Sequence, residues 1–253
     1  INNFATLNPL VNGKSSGSTS IVTNDLRDGN LYVVGKTSCL ATSTIAMTTG
    51  KWYWEVFAVQ SGNANSYYGL IRSSLAASPN SGPWHGSFTF NQLGGNYLDS
   101  TSYSSSSGFS WGSPLILSFL YDADTGSLSG DNDGVFQKTV TVSAVANVPM
   151  VACYTPSMPT GSSSGHFNFG DSARFGGNKS PSQVYTDANG YGEFFYSIGF
   201  DNGASALCTK NIPEGPIKLS QDETPSDHFK AVEYIGNNTD GHQINDVGFK
   251  SDL

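Results

Sequence analysis

The chain is a succession of short apolar and aromatic runs separated by segments rich in glycine, serine, asparagine, aspartate and proline. Gly29–Val34, Lys51–Gln60, Tyr67–Ile71, Leu115–Asp122, Val135–Val142, Val148–Tyr154 and His166–Phe169 are dense in β-branched and aromatic residues and bounded by turn formers, which predicts strands. No window of about eleven residues carries an apolar period near 3.6, so little helix is expected. In Lys51–Gln60 the alternation places Trp52 and Trp54 on one face, predicted to be core, with Lys51, Tyr53 and Glu55 on the other. Many short strands joined by polar loops predict an all-β sandwich or barrel.

The clearest local signal lies in the middle of the chain. Leu115–Asp122 leads through Ala123–Gly126 into a short strand around Leu128, and Asp131–Gly134 leads on into Val135, predicting strand, turn, short strand, turn, strand. Both turns end in the Asp or Asn followed by Gly, or Thr-Gly, chemistry that tolerates positive φ. Four segments, 61–66, 73–88, 100–107 and 156–165, read as long polar loops, where binding residues commonly sit on a sheet framework. Past residue 212 the pattern changes. Prolines and acids over 213–227 predict a linker, and 228–253 reads as a hairpin too short to bury a core alone, hence the opening of a further, truncated β-domain.

Composition narrows the function classes. Of 253 residues only 13% are charged and 12% are aromatic, against about 25% charged in an average soluble domain, which argues against a disordered chain. A net charge of -8, with lysines and arginines scattered, argues against nucleic acid. No apolar stretch approaches the roughly 18 to 20 residues of a membrane span. Cys39, Cys153 and Cys208 lie far apart in the sequence and read as buried thiols, with one disulfide as the alternative.

Candidate chemistry is sparse. Two Gly-x-Ser-x-Gly matches, at Ser15 and Ser163, lack the strand-then-helix setting of a nucleophile elbow. Asp122, Asp124, Asp131 and Asp133 are dense enough to suggest calcium, but neither run has the Gly and Glu spacing of a calcium loop, and the two turns account for them; no cofactor is predicted. His85, His166, His228 and His242 are isolated, which favours ordinary surface or core roles. Trp84, Tyr97, Tyr103 and Trp111 lie in or beside the glycine-rich loops, with Tyr67 and His85 nearby. Those aromatics either pack beneath the loops or present faces that stack on sugars or anchor a protein. These six residues are the candidate binding set.

Lys51-Trp-Tyr-Trp-Glu-Val, Tyr68-Gly-Leu-Ile, the run Ser113–Leu128, Asp131-Asn-Asp-Gly134-Val, Val148–Tyr154 and His166-Phe-Asn-Phe-Gly170 together resemble, in order and spacing, a SPRY domain. Phe167–Gly170, Gly199-Phe200 and Ala206–Pro213 are similar to a variant found in structural proteins of tailed phages and marine viruses. The resemblance implies a bent antiparallel β-sandwich, of the concanavalin-like jelly-roll type, that binds rather than catalyses. It implies a virion protein on the tail or capsid exterior: a module of a tail fibre or receptor-binding appendage, trimeric if a fibre, recognising host-surface glycan or protein alongside other virion proteins. A capsid decoration protein clamping coat subunits is the alternative, and a glycan-processing enzyme with a carboxylate pair is a third. Asn178–Tyr196 departs from the family pattern as an insertion.

Overall fold

The computed structural model describes residues 2–12, 23–36, 39–62, 65–76, 87–91, 96–98, 101–104, 109, 111–157 and 161–212. The expected linker, 213–227, and the expected opening hairpin, 228–253, lie outside the described residues. Within the unit Ile1–Ile212 the chain builds an antiparallel β-sandwich. One sheet has the order β1 (Leu7–Asn12), β4 (Ala41–Ser43), β13 (Met150–Ser157), β6 (Asn65–Arg72), β7 (Ser87–Asn91), β8 (Asn96–Leu98), β9 (Thr101–Ser104). The other has the order β12 (Val135–Thr141), β11 (Ser127–Asn132), β10 (Leu115–Asp122), β5 (Lys51–Gly62), β14 (Gly161–Asn168), β3 (Tyr32–Val34), β2 (Asp25–Arg27). The two-residue β15 (Ser205–Ala206) runs parallel to the start of β5. The α-helices described are two single turns, Ser73–Ala76 and Ile198–Asp201.

The period of two decides which residues fill the space between the sheets. Trp52, Trp54, Val56 and Ala58 of β5 face inward and meet Leu117 and Phe119 of β10, Phe167 of β14, and Tyr68, Phe88, Phe90 and Tyr154 from the facing sheet, all buried. Trp54 and Phe119 are directly opposed across the β5–β10 ladder and stack with centroids 5.3 Å apart. Cys39, Cys153 and Cys208 are buried and form no disulfide with one another.

The outward face of β5 is equally buried at Tyr53 and Glu55. Residues 171–212 fold back across it. Tyr53 packs against Phe194 and Phe200, beside Ala204, Ala206 and Cys208. The segment 178–196, expected as an insertion of no readable role, supplies much of this cover: Tyr185 bridges to Phe194, and the buried Asp187 carboxylate accepts from the backbone of Asn189, Tyr191 and Ala206.

Beneath the cover a polar row crosses four strands, because the ladders align Asn168 with Glu55, Glu55 with Ser118, and Ser118 with Asp131. All four are at most 1% exposed. The Glu55 carboxylate accepts from the Tyr53 hydroxyl (3.0 Å), Asn168 Nδ2 (3.1 Å) and the backbone N–H groups of Phe195 (3.0 Å) and Tyr196 (2.8 Å). It ties the cover to the central strand. Burial pushes its pKa up to about 7 although all four donors favour the ionised form, and burial also raises Asp131, which has no hydrogen-bond partner for either oxygen, to about 6.

Two sequence expectations change. The second turn of the central hairpin is narrower than expected, since Asp131 and Asn132 belong to β11 and the turn proper is Asp133-Gly134. The segments 61–66, 100–107 and 156–165, expected as loops, instead contain strand residues of β5, β6, β9, β13 and β14. Ladder pairing to a preformed neighbour overrides the polarity of serine-rich sequence, which has no strong preference of its own. The four aspartates do not converge, because Asp122 and Asp124 sit at one end of β11 and Asp131 and Asp133 at the other. Asp122 accepts from the backbone of Asp124 and Thr125, Asp124 from Gly50 N, and Asp133 from Ile116 N.

Because Glu55 has a folded-state pKa above its unfolded value, its contribution to stability is fully present below pH 4.5 and is lost as pH rises through about 7. That loss is about 3 kcal/mol. Chemical denaturation from pH 4.5 to 8 is expected to show a shallower decline in Glu55→Gln than in the wild type; identical slopes would contradict this account.

Candidate functional site

The cover leaves the neighbouring part of the same outer face open. Along β14 the alternation that sends Phe167 inward sends His166 outward. The ladders oppose His166 to Tyr32 of β3 on one side and to Phe57 of β5 on the other. Three rings thus form a row across three adjacent strands, with Tyr32 and His166 centroids 5.7 Å apart. His166 is 5% exposed and forms the floor, while Tyr32 and Phe57 are half-buried.

Two adjoining clefts, of about 510 and 390 Å³, share Asp28, His166 and Gly176 and make one groove over this row. Thr6, Asp171, Ser172 and Arg174 line the first; Arg27, Val59, Ser164 and Asn178 help line the second. The wall between them is the backbone of the 3-10 turn Phe175–Gly177. Phe175 packs under it against Phe57 and His166, and the Lys179 ammonium lies 5.1 Å from the centre of the Phe57 ring.

His166 Nε2 lies 3.1 Å from Oδ2 of Asp28. Burial holds the imidazole pKa below its ordinary value, with the charges of Asp28 and Asp171 opposing the shift. Gly176 passes directly over this pair: with φ of +62°, a Cβ there would stand 2.5 Å from Cε1 of His166 and 2.9 Å from Oδ2 of Asp28. Asp28, Asn30 and Phe175 also hold left-handed φ, at 53°, 65° and 47°. Non-glycine residues in that region cost about 1 kcal/mol or more each, and such strain gathers at sites where the surrounding structure imposes it. The charges lining the groove balance, Arg27 and Arg174 against Asp28 and Asp171. The arrangement offers aromatic surface, hydrogen-bond donors and acceptors, and a fixed imidazole, which is binding chemistry. Glu55 and Asp131, by contrast, are too deeply buried for a substrate to reach.

Among the described residues, Tyr67 and Trp111 of the sequence-based candidate set do not line this groove. Trp111 is 6% exposed and packs edge-on against Phe109 and Tyr68; Tyr67 is 8% exposed. Both are packing residues, because a large ring beside a loop gains more from the adjacent core than from solvent. Tyr97 and Tyr103 belong to strands β8 and β9 rather than to loops, and Trp84 and His85 lie outside the described residues. The groove residues carried one local sign in the sequence, the polar His166 and Asn168 alternating with Phe167 and Phe169. Asp28, Tyr32 and Phe57 join them only through strand pairing.

A comparison with protein-family models finds no match, and a comparison with curated proteins finds none either. Among solved structures, the chain is similar to the SPRY domain of human HERC1, at 11% identity and a TM-score of 0.48, covering 57% of this chain and 91% of that one. It is also similar to the stonustoxin structure, at 13% identity and a TM-score of 0.45, covering 65% of this chain and 27% of that one.

Two outcomes test the site's geometry. Gly176→Ala is expected to destabilise the fold by about 1–3 kcal/mol and to shift the His166 ring resonances, whereas unchanged resonances would mean that the turn does not press on the imidazole. In an NMR titration His166 should protonate below the ordinary histidine range, and lower still in Asp28→Asn, since the Asp28 charge opposes the effect of burial. Separately, Trp111→Ala should cost about 3–5 kcal/mol of stability, as a core truncation does.

Proposed function

We propose that this β-sandwich is a non-catalytic recognition module whose contact surface is the groove over Tyr32, His166 and Phe57. We further propose that it works on the exterior of a virion, as part of a tail fibre or receptor-binding appendage that recognises host-surface glycan or protein. The observation that carries the recognition role is the groove itself. Half-buried rings, balanced charges and strained turns converge on one side of a sheet whose other half is sealed. Beneath Gly176 the imidazole is only 5% exposed, with Asp28 on its Nε2, which leaves little of it open to a substrate proton and suits a structural part of a contact surface. The viral setting is supported by the sequence resemblance and by a low-charge composition rich in Ser, Thr, Asn and Gly, and a fibre would make the protein a trimer.

One observation favours a second reading. Val135 and Phe136 are 63% and 60% exposed on β12, an edge strand of the larger sheet. An edge of that kind suits pairing with a coat subunit, as a capsid decoration protein would require.

Arg174→Ala and Tyr32→Ser are expected to weaken attachment of the purified protein to host cells about tenfold or more while leaving the melting temperature within a few degrees of wild type. Unchanged attachment would remove the groove from the contact surface. Immunogold electron microscopy of intact particles addresses the setting: label on tails or fibres supports receptor binding, label over the head supports decoration, and particles without label would remove the virion reading.

A further inference from the structure

If the groove is the contact surface, its geometry also selects the chemical class of its ligand. Tyr32 and Phe57 are two strands apart in one cross-strand row, with His166 between them. Strands lie about 4.8 Å apart, so the two outer rings are spaced by roughly 9.6 Å along a line perpendicular to the strands. A linear saccharide laid along that line would place one pyranose on each outer ring, the part between them passing beside the imidazole, which Gly176 covers. The flanking polar groups are of both kinds. Asp28 offers acceptors, Arg27 and Asn178 offer the N–H groups left over from their bonds to Asp25 and to Phe175 O, and Ser164 offers both, as a ligand covered in hydroxyls requires.

Two further features discriminate among ligand classes. The charges at the groove cancel, Arg27, Arg174 and Lys179 against Asp28, Asp171 and the Asp25 that pairs with Arg27, so the surface has no net field that would select a polyanion. A peptide that binds by strand addition needs a free sheet edge with enough backbone to pair. The edge beside this groove is β2, only three residues long, and it offers too little backbone for that mode.

We infer that the groove binds a neutral, linear oligosaccharide, stacked on Tyr32 and Phe57 and hydrogen-bonded by Asp28, Arg27 and Asn178. The face of Phe57 now beneath the Lys179 ammonium becomes the stacking face when that flexible side chain swings aside.

The test uses the full chain and a panel of defined tetrasaccharides: β-1,4-linked glucose, N-acetylglucosamine and mannose, α-1,4-linked glucose, and a sulfated tetrasaccharide as an anionic control. Saturation-transfer NMR reports binding, and a display library of linear peptides is selected in parallel. The expected result is binding of at least one neutral tetrasaccharide, weakened about tenfold in Phe57→Ala and Tyr32→Ser and retained in Phe57→Tyr, which keeps the stacking surface. His166 resonances and melting temperature show that each variant is folded.

Other results would overturn the inference in distinguishable ways. A preference for the sulfated control, or saccharide binding indifferent to the ring substitutions, would reject the neutral-sugar assignment at this groove. Enrichment of peptides whose binding is lost in the same variants, with no saccharide bound, would reject the sugar class and leave the groove as a contact surface. Absence of both would reject the inference and the contact surface together.

Discussion

Strand β5 cannot show water either of its faces along its first half, and the rest of the unit follows from that constraint. Trp52, Trp54 and Val56 require an apolar partner on one side, which the facing sheet provides. Tyr53 and Glu55 require one on the other, with enough donors to satisfy a carboxylate withdrawn from water. An ionised carboxylate without such donors would cost several kcal/mol. The segment 171–212 answers that need. It delivers Phe194 and Phe200 to the Tyr53 ring and the backbone N–H groups of Phe195 and Tyr196 to the Glu55 carboxylate. The ends of the unit are fastened by the same route, since Phe4 bridges to Cys208 and Ala5 N donates to Leu207 O.

The groove is the complement of that cover. Where the outer face carries Tyr53 and Glu55 it is sealed, and where it carries Phe57 and His166 it is not. The turn Phe175–Gly177 stands at the boundary, and its backbone presses on the His166–Asp28 pair because no side chain intervenes at Gly176. Fixing one half of the sheet therefore positions the wall of the site on the other half. The groove gains rigidity from an element whose own burial is decided elsewhere.

Asp131, with its neighbour Ser118, is the exception to an otherwise satisfied outer row. Its partners across the ladders, Ser118 and Phe136, leave both carboxylate oxygens without a hydrogen bond, and burial raises its pKa toward neutrality. Lying in the same row as Glu55, it makes the covered half of the sheet a low-dielectric region with two acids in it. Their charge is tolerated at the cost of pH-dependent stability.

The strands of the central hairpin, the inward set of β5 and the inward phenylalanines of β14 were legible in the sequence because each depends on a local period of two and on flanking turn residues. The same locality explains what was misread. The segments 61–66 and 161–165 look like loops when read along the chain, yet they hold the far ends of β5, β6 and β14, and β14 pairs there with β5. A polar strand carries no periodic signal, and its partner is distant. Trp111 stood out as an aromatic beside glycines, but the buried faces of Phe109 and Tyr68 claim it. His166 looked isolated since the residues that give it meaning, Asp28, Tyr32 and Phe57, are brought to it by ladders. The sequence by itself determined an all-β chain, the faces of its principal strands and the absence of any signal for nucleic acid. Only the tertiary structure decided which outward faces are covered and which form a site, because that depends on where a late segment comes to rest, a matter of long-range burial and hydrogen bonding that no local pattern encodes.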